Sequence, residues 1–546
     1  MRPVEHFTVD RDEVFLDGPV TSRLAVIDLH PRTNRLRRGA RFRPPAGGQP
    51  GTYAVANELA FESHDFMQVS VFATVLSTME MFEEADTLGR ELEWAFGAPQ
   101  LLIVPRAGEW ANAFYERESH SLQFFHFASR SDANELTTVY TSLSHDIVAH
   151  ETGHAILDGI ARDLYNAITP QSLALHEAIA DLTALVMSFR SPTVRETVLR
   201  QTEGSIKDST AFTRLAEEFG AALDPERRQF FLRNLLNDRK LGDRDVDQTD
   251  PHDLSEVLSG ALYSVMVKLH EQQKRRLAEA EGATEFEVSG KALFLAAEQF
   301  QRMVFRALDY LPPGEISFAD FGRAIIASDQ AAHPDSGDGR AWIREEFIRR
   351  GIAPDADALD VPAPRDEPAL AQLDLQTLIE SDWAAYDFAN RHRDLLGIPP
   401  EIPFDVRPRL KTKKREFHRG GPEDVVECLL KVAWRESERN PGGRWFTDER
   451  QITGGTTLAI EWDEPPRRVR MCLTTRLSDQ RAERDRLLLR LDDEGVLVPA
   501  RHGTAYDGRP LRSVVRAELA GGSMRVRGTA RTLHVAPRDS AAAGGA

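Results

Sequence analysis

Cysteine is almost absent from this chain, whose 546 residues include only Cys428 and Cys472. A disulfide framework needs several cysteine pairs, so a small disulfide-stapled scaffold is excluded. One bridge between the two residues stays open, but we expect a reduced pair in a reducing compartment.

Long apolar runs are also lacking. No uninterrupted apolar stretch of about 18 residues occurs, and the segment from Met1 to Asp10 contains no apolar core of a signal peptide. We therefore expect no membrane span and no export by the usual signal route. This predicts a cytoplasmic protein and leaves non-classical export open.

Basic residues are outnumbered by acidic ones, 68 to 86, which gives a formal net charge of −18. Binding to a nucleic-acid backbone depends on clustered Lys and Arg, so we expect no nucleic-acid partner. No internal repeat is visible. At about 150 residues per folding unit, the length suggests about three units.

The predicted fold class is α+β, because strands dominate the first part of the chain and helices the second. Residues 1–142 form the strand-rich N-terminal part, with short strands at its beginning and further strands over 101–105 and 122–128. Apolar residues at helical spacing predict a helix over 66–96 within this part.

Residues 143–352 are predicted to be helical, with helices that cover 255–269 and 292–308 among others. Residues 353–369 are rich in Pro, Ala and Asp and lack periodicity. They predict an extended, solvated linker between two folding units.

Residues 370–538 are predicted to form a small α+β domain, and the tail 539–546 is predicted to be disordered. An amphipathic helix is expected over 423–436. A basic run over 409–415 is interpreted as a solvated charged loop, with binding of an acidic partner as the alternative. Alternation predicts strands over 457–462, 469–473, 487–491 and 524–527.

The motif that carries chemistry is His-Glu-Thr-Gly-His at 150–154. On a helix, His150 and His154 lie one turn apart on one face and can bind one tetrahedral zinc, with Glu151 beside them as a general base. Alone, this motif also occurs on surface helices with solvated imidazoles. Glu177 supplies a third ligand and leaves the fourth position open, and Asp181 can accept the free N–H of a ligand histidine.

Several segments resemble, in order, those of the thermolysin-like peptidases of the gluzincin group, and together they span about residues 53–352. Asn112 and Ala113 begin an Asn-Ala-Phe-Tyr segment that resembles the family's edge strand, which binds the peptide backbone of the substrate. Tyr165 stands where the family has a tyrosine that stabilises the oxyanion. His252 resembles the family's second catalytic histidine, and Asp247 resembles the aspartate that orients it.

This resemblance implies a two-lobed unit, with a strand-rich lobe and a helical lobe that meet at the zinc. Residues 370–546 resemble no known family, and their predicted small α+β domain is expected to be separate from this unit. It implies one zinc per chain and hydrolysis of a peptide or protein substrate by metal-activated water, with Glu151 as the base. Arg233 is the candidate for the family's substrate-binding arginine, although it stands closer in sequence to His252 than is usual.

Two departures from the family are visible. The family's calcium carboxylates are replaced by Met187, Ser188, Phe189 and Arg190, which leaves Asp146 without partners, so calcium is not expected. His176 stands where the family usually has an asparagine before the third ligand.

Two alternative functions stay open. The first is a gluzincin aminopeptidase, although the Gly-x-Met-Glu-Asn segment of that subgroup is absent. The second is a catalytically idle scaffold, in which the C-terminal domain binds a regulatory or substrate-recruiting partner. Glu151, Tyr165 and His252 argue against the idle scaffold, because a purely structural zinc site has no use for them.

Overall fold

The chain folds as an α+β protein. The computed structural model describes residues 13–30, 33, 35–57, 60–130, 136–207, 214–215, 233–441, 448–462, 467–495, 497–499, 515–520 and 523–527. The predicted disordered tail, 539–546, lies outside this part of the chain.

A four-stranded sheet organises the N-terminal part, in the order β1-β4-β6-β5. Strands β1, β4 and β6 are parallel, and β5 runs antiparallel to β6 at the edge of the sheet. The edge position predicted for the Asn-Ala-Phe-Tyr segment is therefore confirmed. The strands are β1 (Leu24–Val26), β2 (Arg41–Arg43), β3 (Thr52–Ala54), β4 (Leu101–Val104), β5 (Ala113–Glu116), β6 (Ser121–Phe124), β7 (His126–Arg130) and β8 (Leu136–Tyr140).

Helices dominate between residues 145 and 349, as the sequence predicts for 143–352. Before them, α1 (His64–Glu83) ends well short of residue 96. The later helices are α2 (His145–Ile160), α3 (Pro170–Arg190), α4 (Pro192–Gln201), α5 (Pro251–Glu281), α6 (Glu285–Val304), α7 (Ala307–Tyr310), α8 (Phe318–Ala332) and α9 (Asp338–Arg349). Two short strands, β9 (Arg214–Leu215) and β10 (Arg233–Asn234), pair with each other between α4 and α5.

Helices α2 and α3 approach each other closely because Gly153 has no side chain. A Cβ at this position would lie 3.0 Å from Thr183 Oγ1 and 3.1 Å from the Cα of Ala180, closer than most real contacts. The fourth position of the HETGH motif is therefore determined by packing. Its glycine brings the face of α2 with the two histidines against the face of α3 that carries Glu177.

Helix α3 is long and apolar enough to cross a membrane by length and composition alone, and it is the one such helix among the described residues. However, 83% of its most apolar window is buried inside the protein. Its apolar residues belong to the main hydrophobic core together with those of α2 and α5. This burial is typical of a core helix.

The C-terminal part forms an eight-stranded sheet, here called the C-terminal sheet. Residues Leu429, Ala459, Met471 and Leu473 of this sheet belong to the same core cluster as the helices, so the two parts pack directly against each other. Its elements are β11 (Arg365–Asp366), β12 (Phe404–His418), β13 (Gly421–Arg439), β14 (Glu449–Glu461), β15 (Arg468–Thr474), β16 (Leu497–Pro499), β17 (Val515–Ala520) and β18 (Ser523–Arg527), with α10 (Leu375–Glu380), α11 (Asp382–Arg391), α12 (Arg393–Leu396) and α13 (Arg481–Asp493).

Two secondary-structure predictions for this part are wrong. The helix predicted over 423–436 is the strand β13, in which every residue from 427 to 434 is buried. A strand buried on both faces loses its alternation, so its apolar run cannot be distinguished from that of a helix. The strand predicted over 487–491 belongs to α13. The strands predicted over 457–462, 469–473 and 524–527 are confirmed as parts of β14, β15 and β18.

The basic run 409–415 is also not a solvated loop, because it lies within β12 and Lys414 is fully buried. The segment 353–369 differs from an extended linker in that it contains a short 3-10 helix, Asp357–Leu359, whose Leu359 is buried in the main core. Cys428 and Cys472 lie on β13 and β15 and are both free.

Candidate metal centre

Three side chains from α2 and α3 converge on one point. Nε2 of His150 lies 3.1 Å from Nε2 of His154, and the Glu177 oxygens lie 3.8 Å and 3.6 Å from these two nitrogens. Ligand atoms held about 2.0–2.2 Å from a tetrahedral zinc lie roughly 3.3–3.6 Å apart. The three residues predicted as ligands therefore fit a zinc ion. They are the one cluster of at least three potential metal-ligand side chains among the described residues.

Each histidine of this cluster has a partner on its second nitrogen. Nδ1 of His150 lies 3.0 Å from Asp181 Oδ1, as predicted, and Nδ1 of His154 lies 3.3 Å from Nδ1 of His176. A histidine that binds a metal through Nε2 carries its proton on Nδ1, so both ligands would donate to these partners. Burial lowers the pKa of His176 to about 4, which keeps its ring neutral and able to accept.

His176, which the resemblance places where the family has an asparagine, thus contacts His154 of the cluster. The sequence analysis identified this substitution but not the contact that it makes. The contact depends on the stacking of His176 on His154, whose ring centroids lie 5.5 Å apart.

Glu151 lies beside the two ligand histidines and is only 3% exposed. Its Oε2 accepts a hydrogen bond of 3.0 Å from the backbone N–H of Tyr115, on the edge strand β5. Tyr115 is in turn fixed by a hydrogen bond of 2.7 Å from its hydroxyl to the buried Asp158 on α2. One carboxylate oxygen of Glu151 is therefore held by a backbone N–H of the sheet.

The predicted substrate-binding residues lie at the start of the same edge strand. The side-chain oxygen of Asn112 accepts a hydrogen bond of 2.9 Å from the N–H of Ala113. Further along, the N–H of Arg117 donates to the hydroxyl of Tyr165 over 3.3 Å. An added peptide strand can pair with this edge only if the Asn112 side chain turns away from its own strand.

His252 lies in the first turn of α5 and approaches the cluster at Glu177. Its Nε2 is 3.5 Å from Glu177 Oε2, and 30% of its side chain is exposed. The carboxylate beside its Nδ1 is that of Asp250, at 3.6 Å, and Asp250 Oδ1 also accepts the backbone N–H of His252 over 2.9 Å. Burial raises the pKa of Asp250, but the hydrogen bond and the charge of His252 outweigh this effect and lower it.

Asp247 does not occupy the position beside His252 that the family resemblance gives it. Its Oδ1 accepts hydrogen bonds from the N–H and the hydroxyl of Thr249, at 2.9 and 2.7 Å, and its Oδ2 lies 2.8 Å from Arg490. The sequence analysis did not predict Asp250, because the family's Asp-x4-His spacing points to Asp247. The signal was nevertheless present, since an Asp directly before Pro251 is typical of a helix N-cap.

Tyr165 is buried beside the cluster, and its ring centroid lies 6.3 Å from that of His176. Its hydroxyl, which accepts the N–H of Arg117, lies 3.4 Å from Glu118 Oε2. Arg233 pairs with Leu215 through the backbone of β10, and its side chain lies outside the described part of the structure.

Comparisons with models of known protein families and with curated proteins gave no match for this chain.

Proposed function

We propose that the chain is a zinc-dependent endopeptidase that takes peptides or proteins as substrates. The observation that supports this most is the convergence of His150, His154 and Glu177 at separations that suit tetrahedral zinc, with the buried Glu151 held next to them. A purely structural site has no need of a positioned carboxylate that is not a ligand.

The three ligands would hold the zinc ion, which lowers the pKa of a water molecule and polarises a carbonyl group when it is bound. Glu151 accepts a proton from the attacking water and later passes it to the leaving amine. His252, 30% exposed at the open side of the cluster, donates from Nε2 to the negative charge that develops on the carbonyl oxygen. The carboxylate of Asp250 lies 3.6 Å from Nδ1 of the same ring.

The decisive experiment replaces Glu151 by Gln, which has nearly the same shape but cannot accept the proton. Metal content is measured by elemental analysis, and cleavage is measured on an unfolded protein. We expect about one zinc per chain in the wild type and in the variant, and loss of cleavage in Glu151→Gln only. Glu196→Gln, at a side chain that is 75% exposed, is the matched control.

The same assay separates the alternatives. Peptides with a blocked amino terminus are cut by an endopeptidase but not by an aminopeptidase. Unchanged cleavage by Glu151→Gln would refute the mechanism. A wild-type chain that binds zinc but cleaves neither kind of substrate would support the idle scaffold, in which the C-terminal part recruits a partner.

A further inference from the structure

Helix α13 of the C-terminal part contacts the start of α3, the helix that carries Glu177, and the loop before α5, the helix that carries His252. Near its start, Arg484 is fully buried and donates to Thr169 Oγ1, 3.2 Å away, directly before α3. Glu483 accepts a hydrogen bond of 3.1 Å from Gln171, in the first turn of α3. Because Arg484 also binds Glu438 of β13 at 2.7 Å, this end of α13 is anchored to both parts of the protein.

At its other end, α13 reaches the loop that precedes His252. Nη1 of Arg490 lies 2.8 Å from Asp247 Oδ2 and 2.7 Å from Thr249 Oγ1, while its Nε donates to Glu494 over 2.8 Å. One guanidinium group thus joins two loop residues to α13. Surface ion pairs add little to global stability, so a contact of this kind matters mainly through the geometry that it imposes.

The loop is built so that the position of Asp247 determines that of Asp250. The backbone N–H of Asp250 donates to the carbonyl of Asp247 over 3.1 Å, and the N–H of Thr249 donates to the Asp247 side chain. Asp250 is the N-cap of α5 and lies beside His252. A chain of contacts therefore leads from Arg490 through Asp247 and Asp250 to the ring of His252.

We infer that the C-terminal part is a positioning element of the candidate site, in which Arg490 fixes the loop 243–250 so that Asp250, rather than Asp247, holds the ring of His252. The catalytic consequence rests on the proposed peptidase function, whereas the structural clamp does not. Since both oxygens of Asp247 are bound by Thr249 and Arg490, this carboxylate is not available to His252 while α13 is in place.

Hydrogen exchange of the full-length chain tests the clamp without reference to activity. The variant is Arg490→Ala, and the matched control is Arg486→Ala, which removes the same charge from an exposed position on the same helix. We expect exchange in peptides that cover 243–250 to become about 10-fold faster in Arg490→Ala, because the amides of Thr249 and Asp250 lose a fixed acceptor. Equal exchange in the two variants would overturn the inference.

Kinetics then test whether the clamp positions His252. A catalytic group that is displaced by about 1 Å loses up to roughly 100-fold in rate. We expect Arg490→Ala to lower kcat about 10-fold or more with KM nearly unchanged, and Arg490→Lys to restore part of the loss, since lysine keeps the charge but not the forked geometry. Zinc content should stay the same in all variants.

Two comparisons complete the test. Asp250→Asn should lower kcat more than Asp247→Asn does. The double variant Arg490→Ala with Asp247→Asn should have a kcat no lower than that of Arg490→Ala alone, because both substitutions remove the same contact. Additive losses, or an Asp247→Asn effect larger than that of Asp250→Asn, would contradict the inference. If the wild type cleaves nothing, the peptidase proposal fails, while the exchange comparison still confirms or refutes the clamp.

Discussion

Replacement of Lys414 by Met should strongly destabilise the protein, because this residue connects the helical part to the C-terminal sheet through buried charges. Its Nζ lies 3.0 Å from Asp309 Oδ2 on α7 and 2.9 Å from Glu427 Oε1 on β13. All three side chains are at most 1% exposed. The methionine fills a similar volume but leaves two buried carboxylates without their shared cation.

The expected cost follows from what remains around these carboxylates. Removal of one partner from a buried ion pair costs about 3 to 5 kcal/mol. Asp309 keeps Arg90 at 2.7 Å, and Glu427 keeps Arg470 at 3.5 Å. These two guanidinium groups compensate in part, so we expect a loss of about 3 kcal/mol in the free energy of unfolding, at the lower end of that range.

Urea denaturation of the wild type, Lys414→Met and Lys413→Met measures this difference. Lys413 is the matched control, because it lies next to Lys414 on β12 but is 63% exposed and pairs with Asp424 at the surface. A chain of this length can unfold in more than one step. Transitions of two variants are therefore compared only where the free energy of unfolding falls with urea concentration at the same slope. A loss below about 1 kcal/mol in Lys414→Met, no larger than in the control, would show that the buried cluster does not stabilise the interface.

The effect should also depend on pH in a defined direction. Burial raises the pKa of Asp309, but the charges of Arg90 and Lys414 outweigh burial and lower this pKa overall. Burial likewise raises the pKa of Glu427, and the charges of Lys414 and Arg470 lower it overall. Carboxylates with lowered pKa values contribute stability that is complete above their unfolded values of about 4 and is lost as the pH falls through the folded values. The difference between wild type and Lys414→Met should therefore shrink in acid.

Further predictions concern the candidate site. His252→Ala should lower kcat by about 100- to 1000-fold. Tyr165→Phe should lower it less, because the O–H of Tyr165 already has an acceptor, Glu118 Oε2, at 3.4 Å. Equal losses in steady-state kinetics would contradict this order. Phenanthroline should abolish cleavage, whereas EGTA with enough free zinc to keep the site filled should change neither activity nor melting temperature. A fall in melting temperature that added calcium reverses would reveal a calcium site. The resemblance to the thermolysin-like peptidases also predicts, in a peptide library, cleavage on the amino side of bulky apolar residues, each of which contributes about 1.5 to 3 kcal/mol when it is buried. A preference for charged residues there would refute this.

The sequence alone determined the parts of the protein that depend on local spacing. The two histidines one turn apart, the carboxylates of α3 and the edge position of β5 follow from helix and strand periodicity and from the resemblance of several ordered segments. The α+β class was also predictable, because long amphipathic helices and short alternating strands have different periods. These features need no knowledge of distant contacts.

Only the tertiary structure decided which groups assist those residues and how the C-terminal part is built. Strand β13 carries an apolar run that resembles a helix, and its identity as a strand follows from its pairing with β12 along one edge and β14 along the other. Lys414 belongs to a basic run that favours solvent, yet two acidic side chains distant in sequence stabilise its burial. Asp250 replaces Asp247 beside His252 because Arg490, far along the chain, binds Asp247. Contacts between distant residues leave no local period, so neither composition nor spacing can show them.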